Sequence, residues 1–253
     1  MPKAKIGLIG IIGDEARKDY WGTLAKVADI GYRGIEGAGQ LLEGNVEDNL
    51  KRFHDLGLQV LAVSASRDQL QNNLDKVISN AKILQAPRVC VWWGACETKE
   101  SLLEDAELYN KSGAKLAFEG LKLCYHNHNH EFLNYFNGVY ALDILAEYTD
   151  PEFVFFELDI AWVTFGGEDP VKLLKRMEGR VPAIHVKDIC AVGTENAQFT
   201  AVGTGVVKTQ ESVKTAIDTG VEWVVVEQDR LRNLDAFETL TVSYLNLKEA
   251  GLV

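Results

Sequence analysis

Short β-branched apolar runs alternate with longer amphipathic runs along the whole chain. Strands are predicted at residues 6–11, 32–36, 58–63, 88–92, 121–126, 153–158, 182–186 and 223–226. Between and after them, apolar residues return at helical spacing over 20–30, 46–56, 69–84, 99–119, 140–148, 170–177, 209–219 and 234–249. Gly31, Gly57 and Gly120 stand where helices should stop, Pro87 marks a boundary, and Pro170 suits a first helical turn. Strands that alternate with helices pair in parallel, because only a crossover returns the chain to start a parallel neighbour. Eight such units in 253 residues match a closed (β/α)8 TIM barrel in number and size, so residues 1–253 are expected to form one barrel domain. The rival is a doubly wound sheet. Its usual Gly-x-Gly-x-x-Gly turn is missing, since Gly7, Gly10 and Gly13 have a different spacing.

In such a barrel the active site lies at the carboxyl ends of the strands, and polar residues gather there. The second strand ends in Glu36, the fifth in His126-Asn127-His128-Asn129-His130-Glu131 and the sixth in Asp159. The seventh ends in His185-Val186-Lys187-Asp188 and the eighth in Glu227-Gln228-Asp229. Alternation puts His126 with His128, Glu157 with Asp159, and His185 with Lys187 on shared faces. If Phe156 and Leu158 pack under the helices, both carboxylates point into the barrel and need a cation or a donor. A metal supplies that for Asp159; for Glu157, Lys187 or a deeper donor is expected. Asp159, His185 and Glu227, with one residue of the strand-five cluster, form a mixed oxygen and nitrogen set. It suits one divalent ion among Mn²⁺, Co²⁺, Zn²⁺ and Mg²⁺. Trp162, and one of Trp92 and Trp93, offer apolar walls for a sugar's C–H faces.

Composition narrows the partners. With 47% hydrophobic and 25% charged residues, the chain reads as an ordinary folded protein. The formal charge is −11, from 26 basic and 37 acidic residues. No Lys and Arg cluster offers a face for a phosphate backbone, so nucleic acid is not an expected partner. The four cysteines form no Cys-x-x-Cys pair, and no run approaches the roughly 20 apolar residues of a membrane span. A cytoplasmic protein is expected, and a homo-oligomer is compatible with the sequence.

These residues, in this order, resemble the xylose-isomerase-like barrel superfamily of sugar phosphate isomerases and epimerases. The resemblance rests on Gly31-Tyr32-Arg33-Gly34-Ile35-Glu36, Tyr125-His126-Asn127-His128 with Glu131-Phe132, and Glu157-Leu158-Asp159 with Trp162, Gly167, Asp169 and Pro170. It continues through His185-Val186-Lys187-Asp188, Gly203-Thr204-Gly205, Glu227-Gln228-Asp229 and Ser243-Tyr244-Leu245. It implies a divalent metal held by a Glu, Asp, His, Glu set from strands five to eight. It also implies proton transfer next to a carbonyl, with two glutamates facing opposite sides of the substrate. Asp159, His185 and Glu227 match that set. The first position departs from it, since His126 stands at the end of strand five. Glu131 is the expected replacement ligand, with His128 or His126 the alternatives.

The resemblance implies an isomerase or epimerase of a sugar, sugar phosphate or cyclitol. Glu227 and Glu131 are the expected bases and Lys187 the group that stabilises an oxyanion or protonates a leaving hydroxyl. Glu36, His126, His128, Trp162 and Lys187 are expected to contact substrate. A dehydratase or lyase on a keto-sugar or keto-inositol would use the same site. An endonuclease for abasic DNA, from the same superfamily, would need a basic groove and more ligands. A non-catalytic sugar-binding barrel is the remaining alternative.

Overall fold

The computed structural model describes residues 3–253. Eight parallel strands close into a barrel: β1 (Lys5–Leu8), β2 (Gly34–Glu36), β3 (Gln59–Ala65), β4 (Arg88–Val91), β5 (Lys122–His126), β6 (Val154–Asp159), β7 (Ala183–Val186) and β8 (Trp223–Val226). Around the ring the order is β1-β8-β7-β6-β5-β4-β3-β2, and every crossover carries helix.

Alternation decides which side chains look outward. Val154, Phe156 and Leu158 of β6 join Leu123, Tyr125, Ile184, Val186, Val224 and Val226 in one large apolar core under the helices. The intervening positions point into the barrel. There Leu61, Ala183, Trp223 and Val225 form one small cluster, and Ala62, Cys90 and Cys124 with Phe155 form another. Beyond these apolar layers, towards the carboxyl ends, the interior becomes polar.

Local sequence fixes the helix ends. The Asp19 side chain accepts from Gly22 N to open the helix Tyr20–Ile30, and Thr98 and Ser101 cap Lys99–Phe118 reciprocally. Asp169 caps Pro170–Arg176, whose proline occupies the first turn. The helix expected at 69–84 is two helices, Arg67–Asn72 and Leu74–Ile83, because a Ser66–Gln69 capping box starts it early and Asn73 leaves the helical region. The first strand stops at Leu8, short of residue 11, because the chain turns out at Gly10 with φ of 78°.

At Glu36 the β2–β3 register shifts. Ile35 faces Val60 and Glu36 faces Ala62, which leaves Leu61 as an extra residue. Leu61 fills the barrel against Gly7 and Gly34, where an added Cβ would come within 2.5 Å of its Cδ1. Gly34→Ala is therefore expected to overpack the interior by about 1–3 kcal/mol and to lower the melting temperature by several degrees. In a double-mutant cycle with Leu61→Ala the combined loss should fall short of the sum of the two single losses. Strict additivity would contradict this packing.

Candidate metal centre

The candidate site is assembled from strand ends in register. Asp159 of β6 lies opposite His185 of β7, and His185 lies opposite Val225 of β8, two residues before Glu227. His126 ends β5. Asn127, fully buried, ties β5 to β6 by accepting from Asp159 N through its side-chain oxygen at 3.0 Å. His126, Asp159, His185 and Glu227 each offer one ligand atom, and these atoms lie within 4.8 Å of one another.

Asp159 is aimed by its own backbone. It caps the short helix Ile160–Phe165, accepting from Ala161 N and Trp162 N through Oδ1, each at 2.9 Å. Its Oδ2 is buried and accepts no hydrogen bond, although Lys187 Nζ is 3.1 Å away. His126 Nδ1 is likewise buried without a partner. An orphaned carboxylate oxygen and an orphaned imidazole nitrogen, beside a second carboxylate and a second imidazole, suit a divalent cation that accepts both oxygen and nitrogen. The donor set fits such an ion.

The charges here are strongly coupled. Burial pushes Asp159 up to about 6, against the pull of Lys187. Burial also disfavours charge on Glu227, but Lys187 and His185 hold it well below the usual carboxylate range. Burial opposes protonation of His185, yet Glu157, Glu36 and Glu227 raise it well above its ordinary value. Burial lowers His126 far below neutral, and it lowers His128 to about 4 with the help of Lys187. Both are therefore neutral imidazoles near pH 7, the form that binds metals and accepts protons.

Lys187 is 1% exposed, with Nζ 3.1 Å from Asp159, 2.9 Å from Glu227 and 2.8 Å from Asp229. These carboxylates outweigh the burial penalty and raise its pKa. Of the two partners expected for Glu157, Lys187 or a deeper donor, Lys187 does not pair with it. Glu157 is in register with Ala183, and Lys187 is four residues further on, roughly 13 Å along the strand direction. Glu157 lies beside Arg88 and His185 instead, at 3.6 and 3.4 Å.

The other sequence expectations divide. Glu131 is turned away from the four candidate ligands. It is fully buried, accepting from Tyr125 OH at 2.7 Å and from His128 N at 2.9 Å, in a separate group with Cys96 and His130. On this geometry His126, and not Glu131, stands with Asp159, His185 and Glu227. Glu36, expected to contact substrate, has only 2% of its side chain exposed. It is buried against His185 and Arg88. His128 lies beside His126, Trp93 and Trp162, with ring centroids 4.9, 5.1 and 5.7 Å away. Trp162 packs on Phe199 at 5.4 Å, and Lys187 lies over both rings. Trp92 and Trp93 are about half exposed.

Sequence reasoning missed Arg88 and Phe199, and it placed Asp229 at the end of the eighth strand without giving it a role. Arg88 shares a strand face with Cys90, and Asp229 is two residues beyond Glu227, so alternation could have singled out both. Phe199 comes from a short ribbon, Asp188–Ile189 with Phe199–Thr200, that carries no pattern of its own. A groove of about 520 Å³ on the outer layer, lined by Arg67, Leu74 and Lys111 among others, lies away from these groups.

A polar barrel mouth of this kind defines a class, and comparison with known proteins agrees. The signature of the xylose isomerase-like TIM barrel matches residues 24–241, and the chain belongs to that family. An inosose dehydratase from Clostridium beijerinckii is 25% identical over 196 residues, covering 70% of this chain and 60% of that protein's length. A sugar phosphate isomerase/epimerase from Parabacteroides distasonis superposes with a TM-score of 0.83 at 22% identity, covering 100% of this chain and 96% of its own. An IOLI protein solved with a bound zinc atom gives a TM-score of 0.76 at 16% identity, with 97% of each chain covered. Among the described residues, no helix is long and apolar enough to cross a membrane.

Proposed function

We propose that this chain is a metal-dependent enzyme that moves a proton next to the carbonyl of a small sugar or cyclitol, with loss of a neighbouring hydroxyl as water as the favoured outcome. One observation carries the reading: four candidate ligands, three of them buried and two carrying a buried atom without a hydrogen-bond partner, stand at the barrel mouth, with an ammonium group 2.9 Å from one of the carboxylates. His126, Asp159, His185 and Glu227 would hold the ion, and zinc, manganese, cobalt or magnesium suit their donor atoms to different degrees. When bound, such an ion supplies Lewis acidity that makes a proton beside the substrate carbonyl easier to remove.

The chain's own residues do the rest. The Glu227 side chain is the most exposed of the four, at 16% against 4% for His185 and 0% for Asp159. It therefore stands nearest the opening and takes the proton from carbon. Lys187 gives a proton to the departing hydroxyl oxygen, which leaves as water while the electron pair of the broken C–H bond forms the new C=C bond. Because Glu227 Oε2 and Lys187 Nζ are 2.9 Å apart, the proton taken by Glu227 can recharge Lys187, and the net change is loss of one water. Trp93, Trp162 and Phe199 flank the approach and restrict water.

Elimination is favoured over a two-glutamate epimerisation because Glu131 faces Tyr125 rather than the site. The dehydratase name of the relative supports the same choice. An isomerase or epimerase is the second reading, favoured by His128, a neutral imidazole with Nδ1 unpartnered. It would serve as the second proton carrier.

The test is NMR in D₂O with metal-loaded protein and a panel of keto-sugars and keto-cyclitols. Elimination is expected to remove the α-proton signal and yield an unsaturated or deoxy-dicarbonyl product. Epimerisation would instead leave deuterium on an intact sugar. No exchange at any α-carbon, in protein holding a full equivalent of metal, would contradict proton transfer as the function.

A further inference from the structure

His185 is held from both sides. Its Nδ1 lies 2.8 Å from Glu227 Oε2, and its Nε2 lies 2.9 Å from Glu36 Oε2. Glu36 belongs to β2, three strands round the ring from β7 and 149 positions away in the chain. The register shift at Glu36 is the one that seats Leu61 inside the barrel. Arg88, from β4, donates to the other Glu36 oxygen at 3.1 Å. Glu157 lies 3.4 Å from the same Nε2 but accepts no hydrogen bond there. All four side chains are buried.

A neutral imidazole has one N–H and one lone pair. Which nitrogen keeps the proton is set by what the other atoms around the ring can accept. A carboxylate only accepts, so an acceptor fixed at Nε2 keeps the proton there and leaves the Nδ1 lone pair for a cation. An anionic acceptor also makes the ring a stronger donor to that cation. Of the two carboxylates near Nε2, Glu36 is the closer, at 2.9 Å against 3.4 Å, and it is the one that accepts the hydrogen bond.

We infer that Glu36 is a positioning residue of the metal centre, fixing His185 with Nδ1 towards the ion, and that Arg88 aims Glu36 and balances its charge. This rests on the metal reading proposed above. The bland alternative is that Glu36 serves only to offset the buried Arg88. That role would move stability but not the ring nitrogen that meets the metal.

The experiment combines Zn²⁺ affinity, by chelator competition, with long-range ¹H–¹⁵N spectra of His185 in the zinc-loaded protein. The native protein is expected to bind one zinc with His185 protonated at Nε2 and metal-bound at Nδ1. Glu36→Gln is expected to weaken zinc by about 10–100-fold and to lose that single pattern. The charge-balanced double variant Glu36→Gln with Arg88→Met, which leaves no guanidinium uncompensated, should fold and show the same weakening. Asp105→Asn, which removes the charge of a partly buried pair with Arg67, should lower the melting temperature without moving the zinc affinity.

Two results would overturn the role of Glu36: zinc affinity within about twofold of native in the folded double variant, or native His185 bound through Nε2. If the native protein takes up no zinc, the metal reading itself fails and this inference fails with it. If it takes up one zinc and the variants bind as tightly, only the role of Glu36 falls.

Discussion

Glu227→Gln should leave a folded barrel that neither retains metal through dialysis nor turns over substrate. Glu227 is one of only two carboxylates among the four candidate ligands, and it also anchors Lys187 and His185 at 2.9 and 2.8 Å. Loss of an outer-shell partner alone typically costs 10–100-fold in metal affinity, so loss of a direct ligand is expected to exceed about 100-fold. Removing the proton acceptor adds a factor of roughly 10²–10⁴ in rate. The fold should survive, because Lys187 keeps Asp159 and Asp229 within 3.1 Å. Elemental analysis beside a turnover assay checks both parts. A full equivalent of metal with no turnover would reassign Glu227 to the base role alone.

Lys187→Met separates a chemical role from a structural one. Losing a single electrostatic group of this kind costs on the order of 10²–10³ in rate, and metal content should stay near stoichiometric. Stability works against a simple reading, because breaking a buried ion pair costs about 3–5 kcal/mol. Here three carboxylates lose a common cation. A bound divalent ion would offset Asp159 and Glu227, while Asp229, with 30% of its side chain exposed, can be hydrated. The melting temperature of the variant should therefore fall by roughly 10 °C without metal and by clearly less with it. Native turnover together with a lowered melting temperature would leave Lys187 as a structural counter-ion.

Much of this was legible in the sequence because two periods do most of the specifying. Period-two runs such as Phe153–Asp159 separate Phe156 and Leu158, which face helices, from Glu157 and Asp159, which face the interior. The same rule brought out His185, Lys187 and Glu227. It stops working where the strand ends. Beyond His126 the chain turns, and side-chain direction depends on which hydrogen bonds close the turn. Asn127 bridging to Asp159, and Glu131 capturing Tyr125 OH and His128 N, decide that His126 faces the site and Glu131 does not.

Pairing across the barrel was likewise hidden. Lys187 and Glu157 share an interior, but register sets them in different layers, and only the stagger between β6 and β7 reveals it. The helix Ile160–Phe165 was missed because its apolar run continues that of β6. That helix matters to the site, since its first turn supplies the two N–H groups that hold Asp159 Oδ1 and leave Oδ2 free.

The central claim is that one divalent ion sits among His126, Asp159, His185 and Glu227. Anomalous diffraction from crystals of zinc-loaded protein, recorded above and below the zinc absorption edge, tests it most directly. The account predicts one strong peak within about 2.0–2.3 Å of a nitrogen or oxygen from each of the four residues. A peak among Cys96, His130 and Glu131 instead, or no peak at the barrel mouth, would contradict it.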